Sequence, residues 1–153
     1  MNSATHSPVH TTTYDRSACS VGILHLGFGA FHRAHQAVYI DDYMQVSGDL
    51  RWGIAAVNLR GSETAHFDIA DADITRNDGY YLKSYSADGD VALRLVRSHI
   101  HFADWSADKA KTEALLSEPS VHLVTITVTE SGYYTDPNGN LNAADPTMKA
   151  EIA

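Results

Sequence analysis

The sequence holds a single cysteine, Cys19, in 153 residues. One thiol cannot close an internal disulfide, and it excludes metal centres built on several thiolates. Basic residues are also scarce, with 11 Lys and Arg against 19 Asp and Glu and a net charge of −8. No Lys/Arg cluster offsets this balance, which argues against nucleic acid as a partner. No apolar run approaches the length needed to cross a bilayer, which argues against a membrane partner. Residues 1–20 are rich in Ser, Thr and His and lack the cationic start and apolar stretch of a secretory signal. They read as a disordered tail, and a cytoplasmic location is expected. Internal repeats and low-complexity tracts are missing too. What remains is ordinary globular composition, 44% hydrophobic and 20% charged, enough for one domain with a substantial core.

Chemistry concentrates near residue 22. The apolar run Gly22-Ile23-Leu24-His25-Leu26 reads as a buried strand, and residues 30–46 read as a helix. Between them stands Gly27-Phe28-Gly29. Strand, Gly-x-Gly turn and helix form the geometry that sets a phosphate on backbone N–H groups at a helix N-terminus. Gly27 permits the tight turn, and Gly29 removes a Cβ where the chain would approach a pyrophosphate. The third glycine of the fingerprint is lacking, because His32 stands in its place. By spacing alone, a turn that merely lets the helix pack on its strand is an equal reading. An acidic chain can still hold an anionic dinucleotide, since turn N–H groups supply local positive potential.

The pattern continues as α/β. Residues 52–57 read as a second strand parallel to the first. Glu63 to residue 70 reads as a short helix capped by Ser62. Residues 80–85 and 91–96 flank the turn Asp88-Gly89-Asp90 and read as a hairpin inserted into a parallel design. Residues 98–102 are extended. Residues 106–116 read as a helix capped by Ser106, with Ala110, Ala114 and Leu115 inward. Residues 121–128 are rich in β-branched side chains, as a central parallel strand requires. Asp136-Pro137-Asn138-Gly139 marks a turn, and Asp145-Pro146 opens a last helix. In the first helix, i, i+3, i+4 spacing places Phe31, Ala34, Val38, Tyr39 and Tyr43 inward. The expected fold is a Rossmann-type parallel sheet with an inserted hairpin over residues 21–153. A doubly wound fold needs more strands than these, so the chain reads as the front part of a longer protein.

The string from Gly27 through Phe28, Gly29, Ala30, Phe31, His32, Arg33, Ala34, His35 and Gln36 to Ala37, followed by Tyr39-Ile40-Asp41-Asp42, resembles a known opening. It is similar to the polyol-specific long-chain dehydrogenases, the mannitol dehydrogenase and fructuronate reductase family. Trp52-Gly53-Ile54-Ala55-Ala56-Val57 and the Thr-rich stretch from Val124 to Tyr134 resemble later parts of the same family in the same order. The resemblance implies oxidation of a polyol or sugar-acid secondary alcohol, or the reverse reduction, with NAD. It also implies that the catalytic lysine, with its asparagine and histidine helpers, belongs to a second helical domain. None of those catalytic motifs occurs here, so no catalytic residue is assigned to this chain.

Candidate cofactor contacts are Gly27, Phe28, Gly29 and Ala30 in the turn, then Phe31 and Arg33. Phe31 fits either core packing or a cofactor contact, and Arg33 either a phosphate or solvent. After the second strand, Asn58 can bind a ribose hydroxyl, while Arg60 leaves NADP open. Thr127, Val128, Thr129 and Glu130 end the fourth parallel strand, where open α/β sheets bind ligands. Tyr133 and Tyr134 lack the lysine of a Tyr-x-x-x-Lys site. The pairs His32/His35 and His99/His101 each lack a third ligand, so no metal is expected. Asp41 and Asp42 point about 100° apart on a helix and read as a solvated face or a local hydrogen bond, not as paired carboxylates. An S-adenosylmethionine methyltransferase is the transferase alternative, disfavoured because His25 and Phe31 stand where it needs an acid and a glycine. A non-catalytic nucleotide-binding remnant is the third reading.

Overall fold

The computed structural model describes residues 9–61, 64–128 and 130–152. Its centre is a four-stranded parallel sheet in the order β6-β3-β2-β7. The strands are β2 (Val21–Leu26), β3 (Gly53–Asn58), β6 (His99–Asp104) and β7 (Leu123–Ile126). The chain runs outward from β2 through β3 to β6, then crosses to the other side of β2 for β7. The order therefore reverses at β2, and a crevice opens beyond the carboxyl ends of the strands at such a point.

Burial explains the strand sequences. All six residues of β3 are buried, as are four of six in β2. Strands covered on both faces carry continuous apolar runs, as here. Ile23 and Ile54 pack with Ala37 on one face, while Leu24 and Val57 pack with Ala103 on the other. β7 differs from the expected central strand. It lies at the sheet edge among the described residues, with Leu123, Val124 and Ile126 exposed. Its β-branched composition predicts a buried strand, but no described strand flanks its outer side.

The first helix is broken. α1 (Ala30–Ala34) and α2 (Gln36–Ser47) meet at His35, whose backbone lies at φ −124° and ψ −83°. His35 Nδ1–H donates to the Phe31 carbonyl at 2.9 Å, sharing that acceptor with its own backbone N–H at 3.1 Å. The break re-phases the buried face. His32, Ala37, Asp41 and Met44 point inward, whereas Phe31, Tyr39 and Tyr43 are exposed, contrary to the expected stripe.

α3 (Thr64–Asn77) runs about two turns beyond its expected end. Phe67 and Ile74, seven positions apart, both face the core. Its expected cap, Ser62, and Glu63 lie outside the described residues. α4 (Lys109–Leu116) starts later than expected. Asp108 caps it, accepting from Lys111 N–H at 2.9 Å. Ser106 instead donates its N–H and hydroxyl to Asp104 Oδ1, so it belongs to a turn. Thr112 is the buried residue of α4, and Ala110 and Ala114 are exposed. α5 (Pro146–Ile152) opens with Asp145 accepting from Thr147 N–H, as a cap should.

The hairpin β4 (Tyr80–Tyr85) and β5 (Val91–Val96) forms with the expected pairing but in a sheet of its own. Its third strand is β1 (His10–Thr11), parallel to β5. The tail expected over residues 1–20 is therefore built into the fold from His10 onward; residues 1–8 lie outside the described set. Its anchor is Asp41, fully buried, which accepts from Thr12 Oγ1, Tyr14 Oη, Arg97 N and Arg94 Nη2. Arg94 also donates twice to Asp42. The two aspartates are thus joined through one guanidinium from β5; Asp41 is buried, contrary to the expected solvated face, while Asp42 stays half-exposed. Only the distant hairpin supplies that partner.

Candidate cofactor site

A cleft of about 620 Å³ opens beyond the carboxyl ends of β2, β3 and β7. β2 delivers Leu26 and the turn Gly27-Phe28-Gly29. β3 delivers Asn58, Leu59 and Arg60, and β7 delivers Ile126, Thr127 and Val128. Phe67 and Ala70 of α3, with Gly132 and Tyr134, complete the walls.

The two glycines answer different demands. Gly27 lies at φ +105°, in the region that side chains avoid, and its N–H donates to the Val57 carbonyl at 2.7 Å. Gly29 lies at φ −69° and ψ 160°, open to any residue. A Cβ on Gly29 would meet nothing within 4 Å. Neither conformation nor packing inside the chain requires glycine there; what it leaves is open space on the cleft wall. The first backbone bond of α1 runs from Arg33 N–H to the Gly29 carbonyl. The N–H groups of Ala30, Phe31 and His32 therefore lack partners within their helix.

Phe28 lines the cleft and packs into an aromatic cluster, edge-on to Phe67, Tyr80, His99 and Phe102. The Arg33 guanidinium lies 5.0 Å from the Phe28 ring centroid, and Arg33 Nε is buried without a partner. Asn58 is buried. Its amide donates to the Arg60 carbonyl and to Asp104 Oδ2, and its oxygen accepts from Arg60 N–H. Burial pushes the Asp104 carboxyl up, but hydrogen bonds from Ser106, Asn58 and Thr64 outweigh it and hold the group well below the usual carboxylate range.

The family model for the mannitol dehydrogenase Rossmann domain matches residues 21–152. The chain belongs to that family. Mannitol 2-dehydrogenase of Cereibacter sphaeroides is 33% identical over 141 residues, 92% of this chain and 29% of that protein. D-arabinitol 4-dehydrogenase of Ralstonia nicotianae is 34% identical over 131 residues, 85% of this chain and 28% of that protein. Pseudomonas fluorescens mannitol 2-dehydrogenase, solved as a ternary complex with NAD and D-mannitol, aligns at a TM-score of 0.73 and 29% identity. A substrate-free D-sorbitol dehydrogenase structure aligns at 0.75 and 27%. Each alignment covers 94% of this chain and 29% of the solved chain. The chain thus spans under a third of these relatives' length.

Within this mannitol dehydrogenase-type domain, the cleft brings together Gly27, Phe28, Gly29, Arg33, Asn58, Arg60, Thr127 and Val128 from the sequence-predicted set. Ala30 and Phe31 are not among its lining residues; Phe31 is 65% exposed and stacks on His35 at 4.2 Å. It is neither core nor cleft wall. Thr129 and the side chain of Glu130 lie outside the described residues. Sequence reasoning missed Phe67, Ala70 and Tyr134 as wall residues. It also missed that His25, His32 and His99 meet under the turn. The histidines stand 67 positions apart at the ends of one contact, and no local spacing signals that. Among the described residues no group of His, Cys, Asp and Glu could hold a metal ion, and no helix is long and apolar enough to cross a membrane.

Proposed function

We propose that the chain binds NAD in the cleft at the ends of β2, β3 and β7, as the cofactor-binding part of a polyol or sugar-acid oxidoreductase. The observation that carries this is Gly29: the fold itself has no use for glycine there, while a pyrophosphate approaching the turn would. The family match supports the same reading and gives none to the methyltransferase alternative. Unbonded N–H groups at the start of α1 and the Arg33 guanidinium would face the phosphates. Arg60, beside the ribose end, keeps NADP as a weaker second ligand. Thr127 and Val128 would lie toward the nicotinamide. The bound cofactor supplies hydride acceptance and donation. This chain's own residues bind and orient it, and the substrate's proton goes to a base contributed by polypeptide outside the matched domain. A cytoplasmic location belongs to the same reading.

Isothermal titration of the purified chain with NAD, NADP and S-adenosylmethionine tests it. NAD is expected to bind most tightly and S-adenosylmethionine not at all. Gly29→Val should abolish detectable NAD binding with the circular dichroism spectrum unchanged, because the new side chain meets only open cleft. Wild-type NAD affinity in a folded Gly29→Val variant overturns the assignment.

A further inference from the structure

Three buried imidazoles lie beneath the glycine turn: His25 from β2, His32 from α1 and His99 from β6, each 1% exposed. The His25 and His32 rings stack with centroids 3.4 Å apart and planes within 7°. His32 Nε2 lies 2.9 Å from His99 Nε2. On its other side His32 Nδ1 lies 3.0 Å from Gln36 Oε1. Thr125 of β7 contacts the same oxygen at 3.2 Å and His25 Nδ1 at 2.8 Å.

These contacts admit one order of protons. Gln36 Oε1 only accepts, so the Thr125 hydroxyl and His32 Nδ1–H both donate to it. The Thr125 hydroxyl proton is then engaged, and its oxygen accepts from His25 Nδ1–H. Neutral His32 keeps a lone pair on Nε2 and accepts from His99 Nε2–H. His99 Nδ1 is left as a buried lone pair without a partner. An extra proton has no place on His32 or His99. On His32 Nε2 it would face the His99 N–H; on His99 Nδ1 it would be a buried donor without an acceptor.

The surroundings agree. Arg16, from the N-terminal segment, donates to the His99 carbonyl, Arg33 flanks on α1, and Tyr80 of β4 lies 5.7 Å from the His99 ring. Among the described residues no carboxylate bonds to any of the three rings. Burial, with smaller repulsion from His25 and Arg33, lowers His32 to about 4; burial alone lowers His25 to about 4; burial first, then repulsion from His32, His25, Arg16 and Arg33, holds His99 well below its usual value.

We propose that His32 is a positioning residue for the cofactor site: a neutral His25–His32–His99 relay pins the first turn of α1 to β2, β6 and β7, and so sets the glycine turn against the cofactor. None of the three rings lines the cleft, so they act through Gly29, three residues before His32, and Arg33, one after. The inference rests on the NAD reading above.

Nitrogen-15 imidazole spectra of the purified chain at mildly acidic and neutral pH read the relay directly. Expected are three neutral rings, with the proton on Nδ1 of His25 and His32 and on Nε2 of His99. A cationic ring at mildly acidic pH, or the opposite tautomers, overturns the relay. NAD titration then reads positioning. His99→Gln offers an amide N–H to His32 Nε2 and should hold affinity within about threefold of wild type. His99→Met removes the donor and should weaken binding about tenfold, the effect of one net hydrogen bond. The thermal midpoint should fall less steeply with acid in His99→Gln than in wild type. If His99→Met does not fold, Thr125→Val removes the hydroxyl at constant volume and should weaken binding by at least about threefold. Wild-type affinity in folded His99→Met, or in Thr125→Val where His99→Met does not fold, overturns the positioning role alone. Absence of NAD binding by folded wild type overturns the cofactor reading and this inference with it.

Discussion

Both amide protons of Asn58 are engaged, by the Arg60 carbonyl and the Asp104 carboxylate. From sequence, Asn58→Asp is expected to shift the balance between NAD and NADP by charge repulsion. The hydrogen bonds change that expectation. An aspartate at 58 would face Asp104 across a contact now 2.9 Å long. It would lose a donor and gain a like charge. Asn58→Asp should therefore cost roughly 1–3 kcal/mol of stability at neutral pH, and weaken both nucleotides together. The loss should shrink toward pH 5, where the facing carboxylates share a proton. Urea unfolding of both proteins at the two pH values checks this; an unchanged midpoint at neutral pH would count against it.

At the scale of elements, Asp41 joins β1, α2 and β5 through one buried carboxylate. Asp41→Asn keeps the shape but removes the charge that Arg94 and the Tyr14 hydroxyl meet. Arg94 retains Asp42, so the loss should lie near the low end for a broken buried pair, about 3 kcal/mol. A denaturation midpoint within error of wild type would refute that role. The histidine relay adds an acid dependence. His25 and His32 titrate near 6.5 when unfolded and at about 4 when folded. The unfolded chain thus binds more protons between those values, and stability rises with pH there. Their contribution is complete above about pH 6.5 and is lost as pH falls toward 4, by up to about 1.4 kcal/mol per pH unit for each proton. Chemical denaturation across that range measures the slope; a flat profile would show that the rings titrate normally in the fold.

For the whole molecule, hydride exchange with a secondary alcohol needs a base within reach of the hydroxyl. Lys83 lies on β4, Lys109 and Lys111 on α4, and Lys149 on α5. No lysine or histidine lines the cleft among the described residues; its cationic side chains are Arg33 and Arg60. The purified chain should therefore give no sustained NADH formation on a panel of polyols and sugar acids, even at high protein concentration. Turnover that disappears in Glu130→Gln would show that this chain carries its own base.

Local pattern alone determined much of this protein. The boundaries of β2, β4 and β5, those of β3 to within one residue, the glycine turn and the Asp145-capped helix follow from hydrophobic periodicity and turn chemistry, which act over a few residues. The Rossmann-type class was legible for the same reason, and the long string from Gly27 to Asp42 identified the family. Tertiary structure decided what depends on distant partners. The first helix broke at His35, and its buried face was re-phased. Arg94 paired with Asp41 in the interior, and Asp42 stayed half-exposed beside it. Asp104 took Ser106 away from its expected cap and engaged an amide proton of Asn58. Three histidines, unremarkable in three separate segments, became one relay because strand order placed β2 between β3 and β7 and brought α1 over them. Periodicity tells a residue which face it occupies; only the packed sheet decides which polar group waits on that face.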